Sequence, residues 1–151
     1  MKGKIGFEEH MAIPETTGET KDFAGESADF NEFTREILDL DETRLKYMDQ
    51  SGIEMALLSL NAPGVQSILD TDEAIEVARK GNETMAGAVE RHPTRYCGMA
   101  ALPMQDPVAA AAELERCVKE LGFKGAMVNG FTQKDTPDTA IYYDIPEYRD
   151  F

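Results

Sequence analysis

Four short apolar runs alternate with helical patterns along these 151 residues, and that alternation restricts the fold more than any other feature. The runs span 4–7, 54–60, 96–102 and 125–129 and are bounded by Gly, Pro or Asn, as buried parallel strands are. The helices between them carry explicit end signals. One starts near Asp41, holds Leu45 and Met48 on one face and stops at Gly52. A second has Asp70 and Glu73 at capping-box spacing, a stripe of Ile75, Ala78, Asn82, Met85 and Val89, and an end before Pro93. A third takes Asp106 as cap and Pro107 in its first turn, with Ala111, Leu114, Val118 and Leu121 as its apolar stripe and Gly122 closing it. The order β-α-β-α-β-α-β predicts an α/β fold with a parallel sheet and helical crossovers, in one domain covering 1–151. Four such units are half of an eight-stranded barrel. Tyr148-Arg149-Asp150-Phe151 reads as the start of another helix, so a longer parent protein is expected.

Two segments read as irregular, 11–34 and 130–146. Both follow strand carboxyl ends, the side on which α/β proteins build their sites.

Composition narrows the function classes. A formal charge of −14 opposes binding to nucleic-acid phosphates or anionic lipid. No apolar run approaches membrane-spanning length and no charged-then-apolar leader opens the chain, so a cytoplasmic protein is expected. Cys97 and Cys117 lack a CxxC pattern and read as reduced thiols. The Asn82-Glu83-Thr84 sequon falls inside a helical pattern and reads as chance.

The first strand ends in Glu8-Glu9-His10. Along a strand, Glu8 and His10 share a face and Glu9 points away. A carboxylate and an imidazole on one face can hold a divalent metal; the alternative is a surface pair with a loop-capping histidine. Two ligands are too few, since a catalytic zinc takes three from the protein and keeps an open position. His92 sits at a helix end among charges and is expected to meet helix carbonyls or solvent. Asn61 and Asn129 each follow a strand. Asn61 is expected to bond its own loop, while for Asn129 that reading and orientation of a substrate oxygen both stand. Phe23 and Phe131 could wall a pocket or pack on the scaffold. There is no GxGxxG, P-loop or GxSxG motif.

Residues 3–10, Ala12-Ile13-Pro14-Glu15-Thr16, the stretches 57–63 and 101–107, Val128-Asn129-Gly130-Phe131 and 142–148 together resemble the metal-dependent hydroxybenzoate decarboxylases. These act on 2,6- or 2,3-dihydroxybenzoate and belong to the amidohydrolase superfamily. The resemblance covers essentially the whole chain. Much of the superfamily opens with His-x-His; Glu8-x-His10 departs from it and matches the decarboxylase branch. The resemblance implies a (β/α)8 TIM barrel of which this chain is the first half. It implies Glu8 and His10 as ligands of zinc or manganese, and Asn129 and Phe23 as lining for a small aromatic acid substrate. The remaining ligands, a later histidine and a later aspartate that is also the general acid, are expected beyond residue 151. It further implies reversible, non-oxidative decarboxylation in a homo-oligomer, a tetramer in the family. Hydrolysis on the same scaffold is the alternative reaction. A non-catalytic truncated barrel that associates through open sheet edges is the alternative of a different class.

Overall fold

The structure, a computed structural model, describes residues 3–18, 30–149 and 151. Strands β1 (Lys4–Met11), β2 (Ile53–Leu60) and β3 (Tyr96–Gly98) form a parallel sheet in chain order. The predicted fourth strand is an extended segment that joins through one parallel bridge, Ala100 to Ala126. It is anchored by Ala100 N–H to the Gly125 carbonyl at 2.8 Å and Met127 N–H to the Ala100 carbonyl at 3.0 Å. The crossovers are helices α1 (Phe30–Leu38), α2 (Thr43–Ser51), α3 (Thr71–Arg91) and α4 (Pro107–Lys119).

Capping chemistry sets the helix ends where the sequence places them. Asp70 accepts from Glu73 N–H at 2.9 Å, and Asp106 accepts from Val108 and Ala109 N–H ahead of α4. Gly52 closes α2 at φ +71°, a left-handed conformation that costs glycine little. Between α1 and α2 the Asp39 carboxylate collects the N–H groups of Asp41, Glu42 and Thr43. Burial opposes the charge, yet those donors hold its pKa well below the usual carboxylate range.

Three details differ from the sequence reading. The stripe of α3 keeps the expected Ala78, Asn82 and Met85 but is completed by Ala74, Val77, Gly81 and Ala88, while Ile75 and Val89 are half-buried. In α4 Cys117 is fully buried and Val118 is exposed, because the helix rolls Ala110 and Cys117 onto the core. The irregular segments also hold structure: α1 begins within the first and runs on past it, and a hairpin of β4 (Thr132–Lys134) and β5 (Thr136–Ile141) lies within the second. Pro137 and the polar run Thr132-Gln133-Lys134-Asp135 disguised that hairpin; proline is tolerated because β5 is an edge strand.

One face of the sheet is covered. Ala56, Leu58, Leu60, Met11 and Tyr96 pack with Ala74, Val77, Ala78, Met85 and Ala88 of α3 in a single core. The Tyr96 hydroxyl donates to the Leu40 carbonyl at 2.7 Å, and burial pushes its pKa up to about 12. Asn82 is fully buried: its amide accepts from Ala101 N–H and donates to the Ala101 carbonyl, extending the sheet's hydrogen bonding into α3. The opposite face is open. Ile5 is 64% and Phe7 69% exposed, and Met55, Leu57, Cys97 and Met99 beside them are only half-buried. Such a surface, and an edge of β1 that no strand among the described residues pairs, favour association at roughly 25 cal/mol per Å² of apolar area covered. The 151-residue chain alone is therefore expected to self-associate in sedimentation velocity, and Phe7→Ser to shift it toward monomer. A stable wild-type monomer would contradict this.

Candidate functional site

The site is built on a defect in β1. Gly6 pairs with Ala56 and Glu9 with Leu58, so Phe7 and Glu8 together oppose Leu57. This is a β-bulge, and Glu8 carries its strain at φ +65°, a region rare for residues with a side chain. Before the bulge, Ile5 and Phe7 face the open side and Gly6 faces the helices. Strict alternation would then turn Glu8 and His10 toward the helices. The extra residue reverses the phase. Glu8 and His10 face the open side, with His10 Nε2 3.7 Å from Glu8 Oε1. Glu9 faces the helices and folds over Gly6, where an added Cβ would lie 2.6 Å from Glu9 Oε1.

The His10 ring is oriented from behind. Ser59, fully buried and paired with His10 across the sheet, places Oγ 3.0 Å from Nδ1. With the proton on Nδ1, that nitrogen donates to Ser59 and Nε2 presents a lone pair beside the Glu8 carboxylate. A carboxylate oxygen and an imidazole nitrogen side by side at a strand's carboxyl end could hold a divalent cation. Among the described residues no group of three or more His, Cys, Asp or Glu converges to hold a metal, so this pair is a partial donor set.

The helix side of the same strand end is a cleft of about 510 Å³ lined by Glu9, His10, Phe33, Ile37, Arg44 and Met48 among others. Arg44 Nη2 donates to the His10 carbonyl at 2.7 Å. Burial lowers its pKa, and nearby Tyr96, Glu9 and Asp39 pull the other way.

The remaining sequence candidates fall as follows. Asn61 is buried and bonds the loop after β1 rather than its own: Nδ2 donates to the Thr16 carbonyl at 3.0 Å and Oδ1 accepts from Thr16 Oγ1 at 2.7 Å. Asn129 Nδ2 donates to the Pro63 carbonyl at 2.8 Å and to Gln66 Oε1 at 2.9 Å. Its N–H groups are thus directed into the loop after β2. His92 lies at the amino end of β3; its Nε2 is 2.8 Å from Asp41 Oδ1, which Arg91 also engages. Phe131 is exposed beside Tyr142, with ring centroids 6.0 Å apart. Phe23 lies outside the described residues. Sequence reasoning missed the supporting set: Ser59, Arg44 and Gln66, whose Nε2 reaches the Leu102 carbonyl at 2.8 Å. Only Ser59 left a signal, as a hydroxyl in an otherwise apolar strand.

The sequence profile of the amidohydrolase family matches residues 33–149. The chain is 51% identical over 152 residues to gamma-resorcylate decarboxylase of Rhizobium radiobacter, covering 100% of this chain and 46% of that protein. Among solved structures it is similar to a 2,6-dihydroxybenzoate decarboxylase in complex with 2,6-dihydroxybenzoate, at 49% identity and a TM-score of 0.95, over 99% of this chain and 46% of that one. It is also similar to a dihydroxybenzoic acid decarboxylase from Polaromonas with bound manganese and the inhibitor 2-nitroresorcinol, at 50% identity and a TM-score of 0.92, over 98% of this chain and 44% of that one. The chain spans about half the length of the curated relatives it matches.

The geometry separates scaffold from site at Asn61. Asn61→Ala removes two buried bonds to the loop after β1 and is expected to cost roughly 1–3 kcal/mol in urea unfolding while leaving divalent-metal affinity unchanged. An intact stability with lost metal binding would place Asn61 in the site instead.

Proposed function

We propose that this chain, which belongs to the amidohydrolase family, is the metal-holding half of a hydroxybenzoate decarboxylase. Its fold is the first part of an amidohydrolase-type barrel, as the match to 2,6-dihydroxybenzoate decarboxylases over nearly its full length shows. The observation that carries the activity is the identity of 50–51%, over the whole of this chain and 46% of each relative, to gamma-resorcylate decarboxylases. The convergence of Glu8 and His10 on the open face supports this reading.

In this reading Glu8 and His10 are metal ligands. A divalent cation held by these two side chains, manganese or zinc, would supply Lewis-acid stabilisation of the negative charge that develops on an anionic aromatic acid. Ser59 holds the imidazole with Nε2 forward. One anionic and one neutral ligand leave net positive charge for an anionic aromatic acid. Asn129, with its N–H groups turned to Pro63 and Gln66, offers Oδ1 as the atom that accepts from a phenolic hydroxyl. Phe23 is proposed as an apolar wall of the same pocket. The reaction also needs a proton delivered to the ring carbon. That acid and the remaining ligands are assigned to the part of the relatives' length that this chain does not span.

The test uses the intact protein that carries this chain. Purified wild type is expected to hold a divalent metal that His10→Ala lacks in elemental analysis. It is expected to consume 2,6-dihydroxybenzoate, followed by absorbance, and to stop when a chelator strips the metal. Ser59→Ala should weaken manganese binding about tenfold through loss of ring orientation. Equal metal content in wild type and His10→Ala would sink the metal assignment. No turnover across several hydroxybenzoates would move the reaction to hydrolysis on the same scaffold.

A further inference from the structure

We infer that Arg44 is a positioning residue for the metal site, holding the end of β1 through the carbonyl of His10 so that Glu8 and His10 stay converged. The inference rests on the reading of those two side chains as metal ligands.

The argument begins with the edge of the sheet. Met11 turns its carbonyl toward β2 and accepts from Asn61 N–H at 2.8 Å. Carbonyls alternate sides along a strand, so the preceding carbonyl, that of His10, points away from β2. Among the described residues β1 has no strand on that side. The sheet therefore does not fix the His10 peptide there. Arg44 does, with Nη2 2.7 Å from the oxygen.

The use of an arginine is informative. Its side chain runs into a cleft walled by Phe33, Ile37 and Met48, where a guanidinium loses hydration. Among the described residues no carboxylate lies within ion-pair distance of it. Its bonds go to two backbone carbonyls, of His10 and, at 3.4 Å, of Asp39. Asp39 is itself the cap of the α1–α2 turn. A desolvated cation spent on main-chain oxygens ties the turn to one peptide of the ligand strand. A charge-assisted bond holds that peptide more firmly than water or a neutral donor. The peptide that it holds lies two residues past Glu8, whose left-handed backbone needs its surroundings to fix it. Releasing the His10 carbonyl frees the bulge to relax and the two side chains to part.

The test compares manganese binding by the intact protein, by titration calorimetry and by the electron paramagnetic resonance of bound Mn2+. Wild type, Arg44→Met, Arg44→Lys and His10→Ala are measured with folded protein confirmed by circular dichroism. Arg44→Met is expected to raise the manganese dissociation constant about tenfold or more and to broaden the resonance. Arg44→Lys, which can reach one carbonyl but lacks the planar fork, is expected to fall between it and wild type. A folded Arg44→Met that loses thermal stability but binds manganese like wild type overturns the inference and leaves a packing role only. Should Arg44→Met fail to fold, Arg44→Lys decides: weaker binding with an altered resonance supports positioning, and wild-type binding refutes it. His10→Ala separates the two failures. If it binds as wild type does, the metal reading itself is wrong and Arg44 positions nothing; if it loses the metal while both Arg44 variants keep it, only the role of Arg44 falls.

Discussion

The extra residue in β1 is the constraint on which the site depends. A regular strand with Ile5 and Phe7 on the open face would send Glu8 and His10 into the helix layer. A carboxylate and an imidazole there would meet the core around Met11 and Met48. By spending one residue on a bulge, the strand keeps its apolar layer and its polar pair on the same side. The cost is a glutamate in left-handed backbone, on the order of 1–2 kcal/mol. Gly6 is part of the same device. With Glu9 turned toward the helices, its side chain lies where any Cβ at position 6 would be, so glycine allows the fold-back.

A strained strand end keeps its shape only if other groups hold it, and three do. Ser59 fixes the His10 ring, Arg44 holds the His10 carbonyl, and Asn61 N–H takes the next carbonyl, that of Met11. They come from β2, from α2 and from the loop after β2, so the end of β1 is gripped from the sheet side and the helix side together. The neighbouring loops are tied in the same manner. Gln66 joins Asn129 to the Leu102 carbonyl, and Gln105 Nε2 reaches the carbonyls of Val65 and Ile68. Buried amides thus replace regular pairing where the strands end.

The α/β class, the parallel order and the ends of α2, α3 and α4 were legible in the sequence, because caps and apolar runs are local signals. Asp70, Asp106 and Gly52 each act on backbone groups within a few residues. The convergence of Glu8 and His10 was also legible, since residues two apart share a face on either side of a bulge. Which face they share was not. That depends on the pairing of Gly6 with Ala56 and Glu9 with Leu58, a relation between segments about fifty residues apart. Arg44 and Gln66 were invisible for the same reason: an arginine in a polar helix looks like a solvated charge until its partner is known to be a carbonyl on another strand. The hairpin from Thr132 to Ile141 was hidden differently, because its exposed strands lack the apolar alternation that marks a half-buried one.

The open face gives the pair its chemical setting. Ile5 and Phe7 lie one layer below Glu8 and His10 on the same side of β1, and Met55 and Leu57 continue that apolar layer across the sheet. Whatever covers these residues removes water from beneath the carboxylate and imidazole. In that drier setting their attraction for a cation strengthens, and so does the cost of leaving them without one. Glu8 and His10 stand on the strand whose free edge would receive the next element of a closed barrel. If Glu8 and His10 hold the proposed cation, closure and metal binding would act on the same strand: the cation would join β1 to the rest of the barrel, and pairing along β1 would order the two side chains. A site placed on β3, already packed between β2 and the 125–129 segment, would gain no such coupling.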